Sequence, residues 1–250
     1  MSKRKIIPCL DMKDGLVVKG VNFEGLKEVG SPEEYARKYE AQGADELVIL
    51  DIAATNENRK TRLDIVKQVV DAVDIPVTVG GGIHSVQDMK ELLDAGAAKI
   101  SINSAAIKNP VLIRECADAF GSEKLVLAVD GRKRADNTGW DTYINGGTLN
   151  TGKDLIEWVE EAKDLGAGSI LVTSMDGDGT KSGYDVELCK ACKDATGLEV
   201  IASGGCGSLE DFAEVFKKDA ADGALAASMF HFDIVTVKEV KEYLKEQGLM

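Results

Sequence analysis

The chain has 250 residues and a formal net charge of −13, and 44% of its residues are hydrophobic but only 5% aromatic. A strongly acidic protein repels phosphate backbones and anionic lipid, and few aromatic side chains are available to stack on bases. The composition therefore argues against nucleic acid and membranes as partners. No apolar run approaches the roughly 20 residues of a membrane span, and the N-terminus has no signal-peptide core, so we expect a cytoplasmic protein.

Eight short apolar runs alternate with helical patterns along the chain. The runs are rich in Val, Ile, Leu and Ala without strict alternation, which is typical of parallel strands that are buried on both faces. The predicted strands comprise residues 5–10, 46–51, 76–80, 98–102, 124–129, 169–174, 199–203 and 222–227.

A helix is predicted after each strand, and several of these helices have recognisable ends. Ser31, followed by Pro32 and two acidic residues, predicts a helix start, and residues 85–88 and 208–211 resemble capping boxes. Helix ends are predicted at Gly43, Gly96 and Gly166.

Two connections between a strand and the next helix are much longer than the others. Residues 12–30 follow the first strand, and residues 131–152 follow the fifth. Within the second connection, residues 139–147 predict a short hairpin with a turn at Asn145-Gly146. Long loops beside a binding site frequently cover it, so both connections are predicted to be lids.

Eight strand–helix units in a chain of this length predict a closed (β/α)8 barrel. The alternative is an open doubly wound sheet, which usually has a glycine fingerprint in its first strand–helix turn. That fingerprint is missing here. In a barrel, the site lies at the carboxyl ends of the strands.

The two halves of the chain repeat each other in order. Residues 43–50 resemble residues 166–173, and residues 100–104 resemble residues 224–228, at a nearly constant offset. Such self-similarity predicts a duplicated architecture. We therefore predict one barrel domain over residues 1–250, built from half-barrels of about 1–122 and 123–250.

The repeat places one aspartate at the matching position of each half. Asp11 follows the first predicted strand, and Asp130 follows the fifth. Two facing carboxylates can divide acid and base duties if their environments keep one ionised and one protonated. The alternative is that each caps a helix or orders its own loop. We interpret Asp11 and Asp130 as a catalytic pair.

Small-residue tracts follow the third, fourth, seventh and eighth strands. Phosphate binding requires converging backbone N–H groups that bulky side chains would block. Residues 79–82 with 103–104 predict one phosphate cradle, and residues 203–205 with 226–228 predict a second. The alternative is that the glycines only permit tight turns. Two cradles at one barrel mouth predict an elongated bisphosphate substrate.

The five cysteines are odd in number and scattered, which is typical of reduced thiols. Cys189 and Cys192 have the spacing of a redox or metal pair. They lie in an amphipathic stretch without a second pair, and the chain has only two histidines. No metal site is predicted.

Taken together, these residues resemble the cyclase subunit of imidazole glycerol phosphate synthase, a family of histidine biosynthesis. The resemblance extends over residues 4–248. It is carried by residues 6–11, 13–15, 17–20, 79–83, 101–106, 178–181 and 225–228.

The resemblance implies a specific reaction. The family takes the bisphosphate N′-(5′-phosphoribulosyl)formimino-AICAR ribonucleotide, where AICAR is aminoimidazole carboxamide. It adds ammonia, forms imidazole glycerol phosphate and releases AICAR ribotide, without an organic cofactor or metal. By the resemblance, Asp11 is the general base and Asp130 the general acid. The substrate-binding residues that the resemblance and the cradles imply are Lys19, Gly82, Asn103, Ser104, Asp178, Gly179, Ser203, Gly205, Ala226, Ala227 and Ser228.

The resemblance also implies a partner. In this family a glutaminase subunit docks at the N-terminal face of the barrel as a heterodimer, and ammonia passes a gate of charged residues along the barrel axis. Lys5, Glu46 and Lys99 match the gate, with lysine at position 5 where arginine is common. Ser169 stands where glutamate is common, and Ala98 replaces an aspartate that usually contacts the glutaminase. Gly177 and Leu16 replace arginines that are common on the active face. We therefore expect ammonia-dependent activity to survive and glutamine-dependent activity to be weak or partner-specific.

Other functions remain open at this point. The sister isomerase of the same pathway resembles this barrel and its aspartate pair, but it acts on the closed-ring aminoaldose precursor without ammonia. A non-catalytic bisphosphate-binding barrel, or a barrel that has lost glutaminase coupling, is the alternative from another class.

Overall fold

In the computed structural model of the chain, residues 4–21, 24–54, 57 and 59–250 are described, with the side chains of residues 19–29 excepted. Each predicted strand is found within one residue of its expected start. The strands are β1 Lys5–Lys13, β2 Leu16–Val21, β3 Glu24–Gly30, β4 Leu47–Asp51, β5 Val77–Gly80, β6 Lys99–Ile102, β7 Leu125–Lys133, β8 Trp140–Ile144, β9 Leu149–Asp154, β10 Ser169–Ser174, β11 Glu199–Ser203 and β12 Gly223–Ala226.

Eight of the strands in the described part of the chain form a closed parallel barrel. Around the barrel the order is β1, β4, β5, β6, β7, β10, β11 and β12, and β12 pairs with β1. Pairing of β7 with β10 joins the two halves, from Val126 beside Ser169 to Gly131 beside Ser174. The predicted (β/α)8 barrel is confirmed, and the open-sheet alternative is wrong.

Helices between the strands cover the outside of the barrel. They are α1 Pro32–Ala41, α2 Leu63–Val70, α3 Val86–Asp94, α4 Ser104–Lys108, α5 Val111–Phe120, α6 Leu155–Leu165, α7 Val186–Thr196, α8 Leu209–Lys217, α9 Ser228–His231 and α10 Val237–Glu246.

The predicted helix ends are confirmed with one modification. Ser208 and Asp211 form a reciprocal capping box at the start of α8. At the start of α3, the Ser85 side chain accepts a hydrogen bond from the backbone N–H of Asp88. The Asp88 carboxylate accepts from the backbone N–H of His84 and not from that of Ser85, so the capping box is not reciprocal. Among the described residues, no helix has the length and apolarity needed to cross a membrane.

Both long connections are antiparallel hairpins. Strands β8 and β9 form the predicted second hairpin, and its turn residues Asn145 and Gly146 both have positive φ. The first connection, predicted as a loop, is built from β2 and β3. An Asp14-Gly15 turn, again with positive φ at both residues, begins it. This pair favours a type I′ hairpin turn, a pattern that the sequence prediction missed.

Buried side chains form two groups. The larger fills the space between the helices and the outside of the barrel. The smaller fills the barrel interior with residues from six strands, namely Ile7, Cys9, Val48, Val126, Leu171, Ile201 and Leu225. Because strand side chains alternate between faces, these residues identify which positions of each strand point toward the barrel axis.

Candidate active site

Asp11 and Asp130 lie on opposite walls of the barrel mouth. Three barrel strands separate β1 from β7 in either direction around the ring. Asp11 is two residues after the interior Cys9, and Asp130 is four residues after the interior Val126, so alternation directs both carboxylates toward the axis. The predicted pairing of two opposed carboxylates at the carboxyl ends of the strands is therefore what the fold produces.

The two carboxylates have different surroundings. Asp11 is 7% exposed, and its Oδ1 lies 3.5 Å from the thiol Sγ of Cys9. Asp130 Oδ2 accepts a hydrogen bond from Asn103 Nδ2 at 3.0 Å. Burial raises the pKa of Asp130 to about 6, against the lowering effect of the Asn103 bond, and the negative charge of Asp178 adds to the rise. Asp130 is thus held closer to its protonated form than an ordinary aspartate.

The first predicted cradle is shaped by glycines that tolerate no side chain. Gly82 has a φ of +68°, and a Cβ there would lie 2.7 Å from the Arg59 carbonyl oxygen. Asn103 directly precedes helix α4, and Ser104 is its first residue. Ser104 Oγ accepts from the backbone N–H of Asn145 at 3.1 Å. The tip of the second hairpin is therefore tied to the edge of the first cradle.

The wall of this cradle is held by a partly buried ion pair that the sequence analysis did not identify. Arg59 donates from Nη1 to Asp51 Oδ2 at 2.6 Å and from Nη2 to Asp51 Oδ1 at 2.9 Å, and Asp51 is 3% exposed. Thr61, two residues further along, donates to the carbonyl of Gly81. The loop between β4 and α2 is thereby fixed against the glycines.

The second cradle repeats this construction. Gly204 and Gly205 have φ values of +85° and +96°, and a Cβ on Gly205 would collide with the carbonyl of Gly183. Their positive φ values match those of Gly81 and Gly82. By conformation, Gly81 and Gly82 of the first half therefore correspond to Gly204 and Gly205 of the second half.

The other predicted residues of the second cradle lie at neighbouring strand ends. Ser203 ends β11 beside Thr173, which itself pairs with Asp130. Ala226 ends β12, Ala227 directly precedes α9, and Ser228 begins α9. Asp178 and Gly179 lie in the turn after β10, and the charge of Asp178 acts on Asp130. The structure therefore places the second cradle at the ends of β11 and β12, between the strands that carry Asp130 and Asp11.

Lys19 lies on β2, where its backbone is paired with Lys27 of β3. Its side chain is outside the described part of the chain, so its predicted approach to substrate stays a prediction. Leu16 and Gly177 stand where arginines are common on the active face. Leu16 is 37% exposed at the start of β2, and Gly177 is buried in the turn that precedes Asp178. Within the described residues, no group of three or more His, Cys, Asp or Glu side chains is arranged to hold a metal ion.

Charged residues meet at the opposite, N-terminal mouth of the barrel. Lys5 Nζ lies 2.6 Å from Glu46 Oε1, and Lys99 Nζ lies 3.5 Å from the same oxygen. The three predicted gate residues are therefore adjacent. Glu199, which the sequence analysis missed, contacts both lysines. Its position two residues before the interior Ile201 was a detectable sign that it points inward.

Comparison with known proteins decides the family. The model of the family described as "Histidine biosynthesis protein" matches residues 5–236. The chain belongs to the histidine biosynthesis protein family. A relative from Clostridium botulinum (strain Alaska E43 / Type E3), named imidazole glycerol phosphate synthase subunit HisF, is 57% identical over 98% of this chain and 96% of its own length.

Two further relatives bear the same name. The Clostridium beijerinckii protein is 57% identical over 100% of this chain and 98% of its own length. The Streptococcus mutans protein is 54% identical over 100% of this chain and 99% of its own length. The family indicated by the sequence motifs is confirmed, and with it the assignment of this histidine biosynthesis family member as an enzyme subunit.

Proposed function

We propose that this chain is a cyclase that converts N′-(5′-phosphoribulosyl)formimino-AICAR ribonucleotide and ammonia to imidazole glycerol phosphate and AICAR ribotide. The observation that carries the proposal is the pair of opposed, inward-facing carboxylates, of which one has a raised pKa. The full-length similarity to proteins named as the HisF subunit supports it.

In the proposed reaction, Asp11 and Asp130 exchange protons with opposite ends of the reacting segment. Asp11 accepts a proton as general base. Asp130 donates one as general acid, because a pKa of about 6 leaves about a tenth of the carboxyl protonated at pH 7, against about a thousandth for an ordinary aspartate. The Asn103 amide orients the Asp130 carboxyl. Cyclisation requires proton removal and proton donation at separate atoms, which two fixed carboxyl groups on opposite walls can supply.

The two cradles are proposed to bind the two phosphates of the substrate. Gly82, Asn103 and Ser104 form one binding site, and Ser203, Gly205, Asp178, Gly179 and residues 226–228 surround the other. Backbone N–H groups at glycine turns bind anions without a lysine cluster, which suits a chain of net charge −13. Both ends of the substrate would then be fixed while its centre lies between the aspartates.

The two hairpins are proposed to cover the bound substrate. Each begins directly beyond one of the aspartates, since β1 and β7 continue into them. Lys19 on β2 would provide a positive charge over the site. Exclusion of water would protect imine intermediates from hydrolysis.

The remaining predictions belong to the same proposal. The subunit name of the relatives supports assembly with a second subunit. We propose that this partner is a glutaminase docked as a heterodimer at the N-terminal face, with ammonia passing Lys5, Glu46 and Lys99. A cytoplasmic location and a single domain of two half-barrels, about 1–122 and 123–250, complete the proposal.

The test compares two substrates in the same steady-state assay with an ammonium salt as nitrogen source. The opened ketose bisphosphate should be consumed only when ammonia is present, with release of AICAR ribotide. The closed-ring aminoaldose, which the sister isomerase would use, should not react. Turnover of the aminoaldose without ammonia would overturn the proposal, and so would binding of the ketose without any turnover.

A further inference from the structure

Four charged side chains from four strand beginnings converge across the N-terminal mouth of the barrel. Glu46 and Glu199 each contact Lys5, at 2.6 and 2.5 Å. The same two carboxylates contact Lys99, at 3.5 and 3.7 Å. Every neighbour in this cycle therefore has the opposite charge. We call these four residues, Lys5, Glu46, Lys99 and Glu199, the charged ring.

The ring crosses the barrel axis rather than following its rim. Glu199 begins β11 and Lys99 begins β6, and two barrel strands, β7 and β10, lie between them. A contact between such distant strands is possible only over the mouth itself. The ring thus covers the entrance to the barrel interior, whose first apolar layer includes Ile7, Val48 and Ile201.

Glu199 lies beside Ser169. Ser169 is the position at which the resemblance to the family indicates that a negative gate charge is missing. Ser169 and Glu199 are paired residues at the first positions of neighbouring parallel strands. Ser169 is buried, at 4% exposure. Because the two positions are paired, a carboxylate at position 199 on β11 reaches the same mouth of the barrel as a carboxylate at position 169 on β10 would. The ring therefore has two positive and two negative members.

The charges depend on one another because the ring is partly buried. Glu46 is only 5% exposed, and an unpaired carboxylate at that depth is costly. Burial alone would lower the pKa of Lys5, but its hydrogen bonds to Glu199 and Glu46 outweigh burial and raise the pKa. Lys5 therefore stays protonated, and Glu199 is needed to keep the ring neutral.

We propose that Glu199 is the residue that completes the gate at the N-terminal mouth, and that it controls the passage of ammonia through the barrel. This inference rests on the proposed function. Ammonia is neutral and can pass a ring that has no net charge. An ion would have to lose its hydration shell to pass, and this desolvation costs free energy. Glu199 acts through Lys5 and Lys99 and is a positioning residue. If Glu199 supplies the missing charge, we expect glutamine-dependent activity to be retained despite Ser169.

The two lysines hold the glutamates at unequal distances. Lys5 holds both carboxylates at hydrogen-bonding distance, whereas Lys99 stands about an ångström further from each. A charge pair at the longer separation is weaker. Lys5 therefore holds the two glutamates more firmly than Lys99 does.

The experiment uses three variants of the full chain. Glu199→Gln removes the charge and keeps the shape. The double variant S169E/E199Q moves the carboxylate to the paired position on β10. Glu161→Gln is the matched control, since its carboxylate pairs with Lys153 at 3.1 Å on the outside of helix α6. Turnover is measured with ammonium chloride, and separately with glutamine and the cognate glutaminase subunit.

With ammonium chloride, which reaches the active face from bulk solvent, all variants should stay within about twofold of the parent chain. With glutamine, Glu199→Gln should lose about tenfold in coupled turnover, the scale of one strong pairwise interaction. The double variant should recover most of this loss, and the control should lose nothing. Unchanged glutamine-dependent turnover in Glu199→Gln would overturn the proposal, as would an equal loss with both nitrogen sources.

A second measurement tests the ring without any activity. A double-mutant cycle of Glu199→Gln and Lys99→Met in urea unfolding should show a favourable coupling that shrinks at high salt. Zero coupling would overturn the ring. Failure of the parent chain to turn over with ammonium chloride would overturn the proposed function instead, and the cycle would still decide whether the ring exists.

Discussion

Asn103 donates a hydrogen bond to Asp130 at 3.0 Å, and its own Oδ1 is buried without a partner among the described residues. A single side chain at the start of helix α4 thus links the proposed first phosphate cradle to the carboxyl group on the opposite half of the repeat. The link explains how phosphate binding at one end of a substrate would align the proposed acid.

The Asn103 bond lowers the pKa of Asp130, although burial raises it more. Asn103→Ala should therefore raise the Asp130 pKa further above 6. The measurement is a carbon-detected NMR titration of the Asp130 carboxyl in both proteins. Asn150→Ala is the control, because Asn150 donates to the distant Asp141 at 2.9 Å. An unchanged Asp130 titration in Asn103→Ala would show that the bond is not formed in solution.

Asp130 should reduce stability at neutral pH. Its folded-state pKa of about 6 exceeds the ordinary aspartate value of 3.8, so the folded chain binds the proton more tightly than the unfolded chain. Stability therefore falls as pH rises from about 4 to 6 and stays lower above that. Asp130→Asn should be more stable than the parent by about 2 kcal/mol near pH 7, with no difference near pH 4. Urea unfolding across this range checks the sign, and a destabilised Asp130→Asn at neutral pH would contradict it.

The second cradle should not tolerate a methyl group. Gly205→Ala places a Cβ against the carbonyl of Gly183 at a φ of +96°. We expect weaker substrate binding and a loss of about 2 kcal/mol or more in unfolding free energy. Gly197→Ala is the matched control, because Gly197 has a φ of +67° but nothing within 4 Å of the added Cβ. It should lose about 1 kcal/mol and bind substrate normally. Equal effects at both positions would contradict a close-packed cradle.

Arg59 should stabilise the first cradle through Asp51. Arg59→Met leaves a carboxylate of 3% exposure without its bidentate partner, and we expect a loss of about 3 kcal/mol in unfolding free energy. Arg62→Met is the control, because Arg62 pairs with the exposed Asp64 at 2.6 Å and such pairs contribute little. Thermal unfolding compares the two. A tolerated Arg59→Met would mean that the loop before α2 is held by other contacts.

The barrel could be predicted almost completely from the sequence because its strands are short apolar runs between clear turns. Strands β1 and β7 extend beyond their predicted ends, since after Asp11 and Asp130 the chain continues into antiparallel pairing with β2 and β8. The first hairpin was missed although Asp14-Gly15 marks its turn. Local apolarity identifies a barrel strand, but the length of a strand is set by the partner it finds.

For the site, the sequence predicted some residues and missed others. The small-residue tracts and the two aspartates can be recognised in the sequence, because each directly follows a predicted strand. The Asp51–Arg59 pair and Glu199 depend on which strands are neighbours and in what register. Ser169 alone predicted a weakened gate, whereas its pairing with Glu199 is the basis for our proposal that the gate is retained. Whether a charged residue on one strand can replace a charge that is absent from the neighbouring strand is visible only once the register of the two strands is known.

The most direct test of the proposed chemistry is the fate of heavy-nitrogen ammonium in a reaction with the ketose bisphosphate. The parent chain should place one heavy nitrogen in the imidazole ring of the product, detected by mass spectrometry. Asp11→Asn should bind the substrate with unchanged affinity and incorporate essentially none, since removal of a general base costs about 10² to 10⁴ in rate. Unlabelled product from the parent chain, or full incorporation by Asp11→Asn, would contradict the assignment of the two aspartates.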